Sequence, residues 1–309
     1  MTIDVHQHLL PAPLVGVLRG RRTPPLLRGW VLELADEPDY PVDPADNDPD
    51  ARATLAAADG LDLALVSLSS ALGVETLPPS EAEELLAAYH EGTLALPRPF
   101  GAWASASLSE VDAAALERRL DQGFVGMQLP ATALLDAAGY AHVAPLLAAL
   151  EERGRPLFVH PGPAGRLPGN APAWWAALVP YVAQMHSAWF AFRVFGRPAH
   201  PALRVCFAML GGLAPLHSER LLARGGERTA VDSDVFLEIS SYGTRAVDAT
   251  IRVLGVDPLV NGSDRPYAAP AELELGDAAA AALRDSNPLR LLHPEGVTNV
   301  MDVAAGTQS

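Results

Sequence analysis

The feature that most constrains the fold of this sequence is a regular alternation of short apolar segments with longer helix-forming segments. The helix-forming segments are rich in Ala, Leu, Glu and Arg and carry apolar residues at a spacing of three to four, as in residues 80–96, 109–122 and 140–153. The apolar segments are short enough to be buried strands. The predicted strands are residues 4–8, 62–67, 100–104, 124–129, 157–160, 203–208, 235–239 and 259–262.

Strands that alternate with helices in this way pair in parallel, through right-handed crossovers. Eight such units within 309 residues predict an α/β fold, a (β/α)8 TIM barrel that forms one domain over residues 1–309. The hydrophobic content of 49% is sufficient for one core of that size. An open doubly wound sheet is the alternative, but the glycine-rich phosphate motif that would follow its first strand is not in the sequence.

Residues 10–49 interrupt the alternation directly after the first strand. This segment is rich in proline, so it is predicted to form neither a regular helix nor a central strand. An insertion at this place lies on the C-terminal face of a barrel, where long loops form walls and lids. Trp30 is its predicted packing anchor or a wall of the substrate site. The acidic residues between 36 and 50 are predicted to form a solvated surface without a metal.

Charge and cysteine content limit the partners. A net charge of -15 argues against nucleic-acid and anionic-membrane partners, which need a basic face. We therefore expect a small-molecule substrate and a homodimer. Cys206 is the only cysteine, so an intramolecular disulfide is excluded, and we expect the thiol to be buried. The chain opens directly into a strand, with no basic segment and apolar signal core, which favours a cytoplasmic protein.

The segment 174–195 is apolar enough to suggest a membrane-spanning helix. Pro180, Gln184, His186 and Arg193 interrupt its apolar character. A helix that is buried or packed against another subunit accommodates these groups at lower free-energy cost than a bilayer does. We therefore predict a single buried or subunit-packing helix and no membrane span.

Side chains that bind metals occur where the predicted strands end. His6 and His8 are two residues apart in the first strand, so their imidazoles point to the same side. His160 closes the fifth strand, and Asp264 follows the eighth. Each could instead cap a strand or form a turn. Three imidazoles and one carboxylate on one barrel face are a set suited to a single divalent ion, with Zn²⁺ favoured and Mn²⁺ the alternative.

With these residues in place, the chain resembles the amidohydrolase superfamily, in particular the branch similar to aminocarboxymuconate semialdehyde decarboxylase. The resemblance implies a (β/α)8 barrel with one metal held by His6, His8, His160 and Asp264. It also implies decarboxylation or hydrolysis of small unsaturated or aromatic acids. The matching positions span nearly the whole chain and are residues 3–11, Trp30, Asp48-Pro49, and residues 123–126, 157–161, 203–208, 211–212 and 262–264.

Two departures from the family pattern bear on the chemistry. The family places a histidine after the sixth strand, where it interacts with the metal-bound water and moves protons, whereas this chain has Met209. A thioether cannot carry a proton near neutral pH. The family's decarboxylases also carry an arginine ahead of the Asp-Pro pair that binds a substrate carboxylate, but Asp46-Asn47 stands there. Metal binding is thus predicted more firmly than the reaction.

Several residues could take over the proton transfer or contact the substrate. Asp264 is the preferred acid or base, with His186 as the second catalytic candidate and His217 predicted to point away. Arg265 is predicted either to orient an anionic substrate or to form a salt bridge at the strand ends. Met209 is predicted to line the substrate site. Packing or surface roles are predicted for His90, His142, His200 and His293.

Three functions remain open at this stage. The first is a metal-dependent lyase, most simply a decarboxylase of a small carboxylic acid in secondary metabolism. The second is a metal-dependent hydrolase of a small ester, lactone or amide. The third is a non-catalytic descendant that binds a small molecule, which the replacement of the sixth-strand histidine by Met209 would explain.

Overall fold

The computed structural model describes residues 1–35, 37–227, 231–270 and 272–292. Its strands within these residues are numbered in chain order. They are β1 Ile3–Gln7, β2 Leu26–Arg28, β3 Val31–Glu33, β4 Tyr40–Pro41, β5 Leu63–Val66, β6 Phe100–Ala102, β7 Met127–Pro130, β8 Leu157–His160, β9 Val205–Phe207, β10 Val235–Glu238 and β11 Leu259–Val260.

Eight of these strands form two parallel sheets, with the orders β1-β5-β6 and β11-β10-β9-β8-β7. Backbone hydrogen bonds also join the edges of the two sheets. Between β6 and β7, Ala104 N donates to Gly126 O at 2.9 Å, and between β1 and the end of β11, Val5 N donates to Asn261 O at 2.9 Å. The α/β class and all eight predicted parallel strands are confirmed, several of them shorter than predicted.

Helices separate consecutive parallel strands, and the helices predicted at residues 80–96, 109–122 and 140–153 are confirmed within a few residues at their ends. Asp48 caps the helix after the insertion by accepting hydrogen bonds from Asp50 N and Ala51 N, each at 3.0 Å. The main helices are Pro49–Ala58, Pro79–Leu94, Ala113–Asp121, Ala137–Glu152, Pro180–Ala191 and Thr244–Leu254; shorter ones are Trp175–Leu178, Arg197–Ala199, Ser218–Ala223, Asp277–Ala281 and Asn287–Leu292.

The largest apolar cluster lies between the parallel strands and their helices, and one of its aromatic rings contacts a predicted metal ligand. The Phe158 ring stacks on Trp103, with ring centroids 5.3 Å apart, and lies 5.0 Å from the His6 ring. Cys206 on β9 is fully buried in this cluster, as predicted. The strand ends that carry the candidate ligands are therefore supported by a closely packed core.

The structure corrects the prediction for the insertion, residues 10–49. A helix, Ala12–Gly20, begins directly after Pro11, and β2, β3 and β4 form a small antiparallel sheet. The prediction of no regular helix was wrong because Pro13 falls in the first turn, where the missing N–H has no intrahelical partner to lose. Leu14 and Leu18 bury the inner face of this helix.

The apolar segment 174–195 is also corrected, because it is not one helix. The short helix Trp175–Leu178 ends before Pro180, which begins the helix Pro180–Ala191, and a π-helical turn follows at Phe192–Gly196. A proline within a continuous helix would remove a hydrogen bond and clash with the preceding turn. Among the described residues, no helix is long and apolar enough to cross a membrane.

Candidate metal centre

The four predicted ligands come together at the C-terminal ends of three strands. His6 is in β1, His8 directly follows it, His160 ends β8, and Asp264 lies in the turn after β11. One ligand atom from each residue lies within 4.8 Å of all the others. The three imidazoles are buried, while the Asp264 side chain is 23% exposed. One side of the cluster is therefore open to a ligand from solvent.

The contacts inside the cluster are those of a cation site. His6 Nε2 lies 3.0 Å from His8 Nε2, and Asp264 Oδ1 lies 3.5 Å and 3.1 Å from the same two atoms. The ring centroids of His6 and His8 are 5.1 Å and 5.0 Å from that of His160. Three imidazoles and a carboxylate at this separation can surround one divalent ion.

The other ring nitrogen of each histidine has an oxygen partner. His6 Nδ1 lies 3.2 Å from Glu238 Oε2, His8 Nδ1 lies 3.0 Å from Ser67 O, and His160 Nδ1 lies 2.9 Å from Pro161 O. Carbonyl and carboxylate oxygens only accept, so each Nδ1 carries the proton and each Nε2 presents a lone pair. The Nε2 lone pairs of His6 and His8 then face each other, an arrangement that a cation between them stabilises.

Glu238, which the sequence analysis missed, orients the first ligand. It is fully buried at the end of β10 and also accepts hydrogen bonds from Ser240 Oγ at 2.8 Å and Met209 N at 3.2 Å. A carboxylate behind a metal-binding imidazole fixes the ring and makes it a stronger ligand. The signal in the sequence was a single acidic residue in the otherwise apolar strand 235–239.

Burial and the neighbouring charges act on the pKa values of these four residues in opposite directions. Burial disfavours a charged His6, but the carboxylates of Asp264 and Glu238 outweigh it, and the pKa of His6 is raised. Burial lowers the pKa of His8 and lowers that of His160 well below the usual value. For Asp264, attraction by the imidazoles outweighs burial, and the pKa of the carboxyl is lowered. An ionised carboxylate beside neutral His8 and His160 is the state that binds metal.

Arg52, also missed, ties the first strand to the end of the insertion. It is only 3% exposed, and its guanidinium donates to His8 O at 3.0 Å, to Asp46 O at 2.8 Å and to Gln7 Oε1 at 2.6 Å. Gln7 in turn donates to Asp4 Oδ2 at 2.8 Å. This network holds the backbone of a metal ligand, so Arg52 acts on the site through His8.

Met209 lies where the sequence placed it, directly after β9. Its φ angle is 55° and that of Leu210 is 50°, so the chain turns through left-handed conformations before the two glycines. The backbone N–H of Met209 donates to Glu238. Met209 is thus linked by its backbone to the residue that orients His6, while its predicted contact with a substrate stays a prediction.

The two histidines considered as substitutes for the missing base lie next to each other. The rings of His186 and His217 are 4.9 Å apart, and the His186 ring is also 5.2 Å from Phe190. In the part of the chain that the structure describes, the group that could hold a metal includes neither of them. The catalytic role predicted for His186 stays a prediction.

Arg265 and Trp30 have structural partners. The guanidinium of Arg265 donates to Asp59 Oδ2 at 2.8 Å, which is an ion pair with the residue that ends the helix Pro49–Ala58 and not with a strand end. The guanidinium of Arg19 lies over the Trp30 ring at 4.8 Å, and Trp30 packs against the smaller of two apolar clusters. Their predicted roles in substrate binding stay predictions.

The remaining histidines are spread over the molecule. His90 is buried and accepts a hydrogen bond from Ser105 N at 3.1 Å. His142 is exposed, and His200 pairs with Glu151 at 3.2 Å. These three are packing or surface residues, as predicted, and His293 lies outside the described residues.

Comparison with known proteins gives a structural likeness. No protein-family model matches the sequence, and no curated protein matches it. The structure is similar to that of IDCase from Metarhizium anisopliae, with a TM-score of 0.75 and 19% identity over 96% of this chain and 97% of that one.

Two further solved structures are similar. A 5-carboxyvanillate decarboxylase from Novosphingobium aromaticivorans has a TM-score of 0.72 and 16% identity, over 94% of this chain and 97% of that one. A protein described as amidohydrolase II has a TM-score of 0.71 and 18% identity, over 94% of this chain and 99% of that one. The resemblance that the sequence suggested is matched in structure, and the chain has the fold of these decarboxylases and of this amidohydrolase.

Proposed function

We propose that this protein is a metal-dependent lyase that removes carbon dioxide from a small organic carboxylic acid. The observation that carries the proposal is the convergence of three buried imidazoles and one carboxylate at the C-terminal ends of three parallel strands. A bound divalent ion would supply a Lewis acid that attracts the substrate carboxylate and stabilises negative charge next to it. Nitrogen-rich ligands favour Zn²⁺, with Mn²⁺ as the alternative.

The chain's own residues would bind the acid and supply a proton. Loss of carbon dioxide leaves an electron pair on the carbon atom, and that carbon must then take up a proton. Asp264 is the best-placed carrier, since its carboxyl is both in the cluster and 23% exposed to the open side, where the ionised carboxylate could take up a proton from water and pass it to the carbon. Its contact with His8, at 3.1 Å, would hold it in place during the transfer.

We also propose that the eight parallel strands close into a (β/α)8 barrel with residues 10–49 as a wall or lid over its C-terminal face. The hydrogen bonds across both sheet edges support closure. Exposed apolar side chains in the segment that follows β8 support a homodimer that would cover them, namely Trp174, Leu178 and Val194. The cytoplasmic location stays a prediction.

The similar structures support the proposed decarboxylation, and they do not identify the substrate. The 5-carboxyvanillate decarboxylase structure contains manganese and 3-methoxy-4-hydroxy-5-nitrobenzoic acid, a substituted aromatic acid. Hydrolysis of a small ester, lactone or amide is the second candidate, favoured by the likeness to an amidohydrolase. A non-catalytic binding protein is the third, since Met209 stands after β9 where a proton-carrying group would be expected.

The decisive experiment combines metal analysis with a screen of reactions on the same sample. We expect about one divalent ion per chain and release of carbon dioxide from at least one acid in a panel of benzoic and unsaturated acids. A product lighter than the substrate by the mass of carbon dioxide identifies the lyase. Products that together exceed the substrate by the mass of water identify the hydrolase. A protein that holds a metal but changes none of the acids, esters, lactones and amides tested would contradict both enzyme functions.

A further inference from the structure

The open side of the metal centre is bordered by aromatic rings. The Tyr267 ring lies 5.2 Å from the ring of the ligand His8, and the Tyr40 ring lies 5.5 Å from that of Tyr267. Tyr267 is 40% exposed and Tyr40 42% exposed, so both have ring surface available. A planar group bound to the metal would lie beside these rings, which prefer edge-to-face or offset contacts with another ring.

A carboxylate from the insertion contacts the loop that follows β8. Glu37 accepts hydrogen bonds from the Tyr181 hydroxyl at 2.8 Å and 2.7 Å and from Ala164 N at 2.9 Å. Ala164 belongs to the loop that follows His160. Burial first, and then Glu37, Tyr267 and Asp264, raise the pKa of Tyr181, so the Tyr181 hydroxyl lies near Tyr267 and Asp264 as well as Glu37. A negative charge on Glu37 would repel a second carboxylate that bound near Tyr181.

The arginines nearest the ligand strand are already bound. Arg52 donates to three oxygens of the protein, and Arg265 is paired with Asp59. Asp46, whose carbonyl binds Arg52, adds another acidic side chain to this region. A substrate carboxylate that is not on the metal would thus meet the acidic side chains of Glu37 and Asp46, while Arg52 and Arg265 each already donate to an acceptor of the protein.

We infer that the site takes a planar acid with a single carboxylate, that Tyr40 and Tyr267 contact its ring, and that Glu37 disfavours substrates with a second carboxylate. This inference rests on the proposed function, because the single carboxylate is taken to bind at the metal. The inference specifies how many carboxylates the substrate carries and which residues select for that number.

Binding can be measured without turnover, by calorimetric titration of the zinc-loaded protein with benzoate and with isophthalate, which carries two carboxylates. We expect benzoate to bind at least about tenfold more tightly than isophthalate. Glu37→Gln should reduce that ratio about fivefold, because it removes one like charge and keeps an acceptor for Tyr181. Glu33→Gln is the matched control in the same insertion, where Glu33 pairs with the exposed Arg28, and should leave the ratio unchanged.

The aromatic contacts are tested separately. Tyr40→Leu and Tyr267→Leu should each weaken benzoate binding about fivefold, and Tyr267→Phe much less, since the ring remains. Phe195→Leu, also an exposed aromatic residue, is the control, and thermal unfolding checks that every variant is folded. Equal affinity of the wild-type protein for the two acids, or no binding of benzoate, overturns the inference.

Failure of the proposed function has a different signature. In one case no acid loses carbon dioxide, but benzoate binds more tightly than isophthalate and the variants change that ratio as expected. The proposed decarboxylation is then wrong, and the inference on selectivity holds. If carbon dioxide is released from dicarboxylic acids as readily as from monocarboxylic acids and Glu37→Gln changes nothing, the selectivity is wrong and the function holds.

Discussion

Two buried polar clusters occupy strand ends in this molecule, and they differ in how their atoms are paired. One is the metal centre, formed by His6, His8, His160 and Asp264. The other, which we call the Glu75 cluster, is formed at the ends of β5, β6 and β7. Its members are all at least 95% buried and are Ser70, Glu75, Ser105 and Gln128.

In the Glu75 cluster, each contact joins a hydrogen-bond donor to an acceptor. Ser70 Oγ donates to Glu75 Oε1 at 2.7 Å, and Gln128 Nε2 lies 3.0 Å from Ser70 Oγ. Burial raises the pKa of Glu75, which favours the neutral acid. In the metal centre, by contrast, Nε2 lone pairs face each other and a carboxylate. A cation would stabilise the facing acceptors of the metal centre, whereas the contacts of the Glu75 cluster already join donors to acceptors, although Glu75 Oε2 and Gln128 Oε1 have no hydrogen-bond partner among the described residues.

The strongest test of this difference removes a metal ligand. His160→Ala should lower metal affinity more than about 100-fold, because one of four ligand atoms is lost. His217→Ala should leave affinity unchanged, since His217 is exposed and outside the group that could hold a metal. Metal content and competition with a chelating dye give the two affinities. Equal losses in the two variants would show that His160 is not a ligand.

The next test compares the buried carboxylate of each cluster. Glu238→Gln should lower metal affinity about 10- to 100-fold, because it weakens the hydrogen bond that orients His6. Glu75→Gln makes the same chemical change at an equally buried carboxyl and should leave metal affinity unchanged. Both are measured by dye competition after thermal unfolding has shown that the variants are folded. A similar loss in Glu75→Gln would mean that the two clusters are coupled.

Much of the fold followed from the sequence because the alternation of apolar strands and amphipathic helices is a local pattern. All eight parallel strands were predicted, with errors at their ends such as in β7, predicted to begin at 124 and observed from Met127. Prolines caused the main errors. Pro13 lies in the first turn of a helix that was predicted absent, and Pro180 divides one that was predicted continuous. The effect of a proline depends on its position in the helix, which composition does not give.

The four candidate ligands were predicted because each lies at or shortly after the end of a predicted strand and carries a metal-binding group. The residues that support them were missed, because their roles depend on contacts over long separations in the chain. Glu238 is 232 residues from His6, and Arg52 is 44 residues from His8. An acidic residue in an apolar strand was the one local signal, and it marked Glu238 without identifying its partner. Tyr267, three residues after Asp264, had no distinguishing pattern.

A third prediction concerns a histidine beside the Glu75 cluster. Burial, and then the nearby Arg119, lower the pKa of His90 to about 3, whereas the unfolded chain has a value of about 6.5. Between these values the unfolded state binds more protons, so the free energy of unfolding should fall as pH falls below about 6.5, by up to about 1.4 kcal/mol per pH unit from this residue. His90→Gln should make the fall shallower, as measured by chemical denaturation from pH 7 to pH 5.

His142→Gln is the control for this measurement, since His142 is exposed and its substitution should leave the slope as in the wild-type protein. All three proteins are compared at one metal loading, so that the ligand histidines contribute equally. An unchanged slope in His90→Gln would mean that His90 takes up its proton in the folded protein.

The smallest expected effect concerns Met209, whose backbone N–H donates to Glu238, the partner of His6. Met209→His should add a group able to take up a proton beside the open side of the centre, and should raise the hydrolysis of an activated ester several-fold. The backbone can accept the change, because φ is 55° at this position and histidine is enriched among residues with positive φ. Ester hydrolysis, decarboxylation and thermal stability are measured at one metal loading.

If Met209 instead only fills an apolar wall, the imidazole would lack partners and Met209→His would lose about 1 to 3 kcal/mol of stability without any gain in hydrolysis. Leu213→His is the matched control, since Leu213 lies in the same turn with a φ of 58° and is also partly buried. A gain in hydrolysis confined to Met209→His assigns the effect to its position beside the metal centre. A folded, metal-loaded Met209→His protein with both activities unchanged would show that the loss of the family's histidine is not what sets the chemistry of this site.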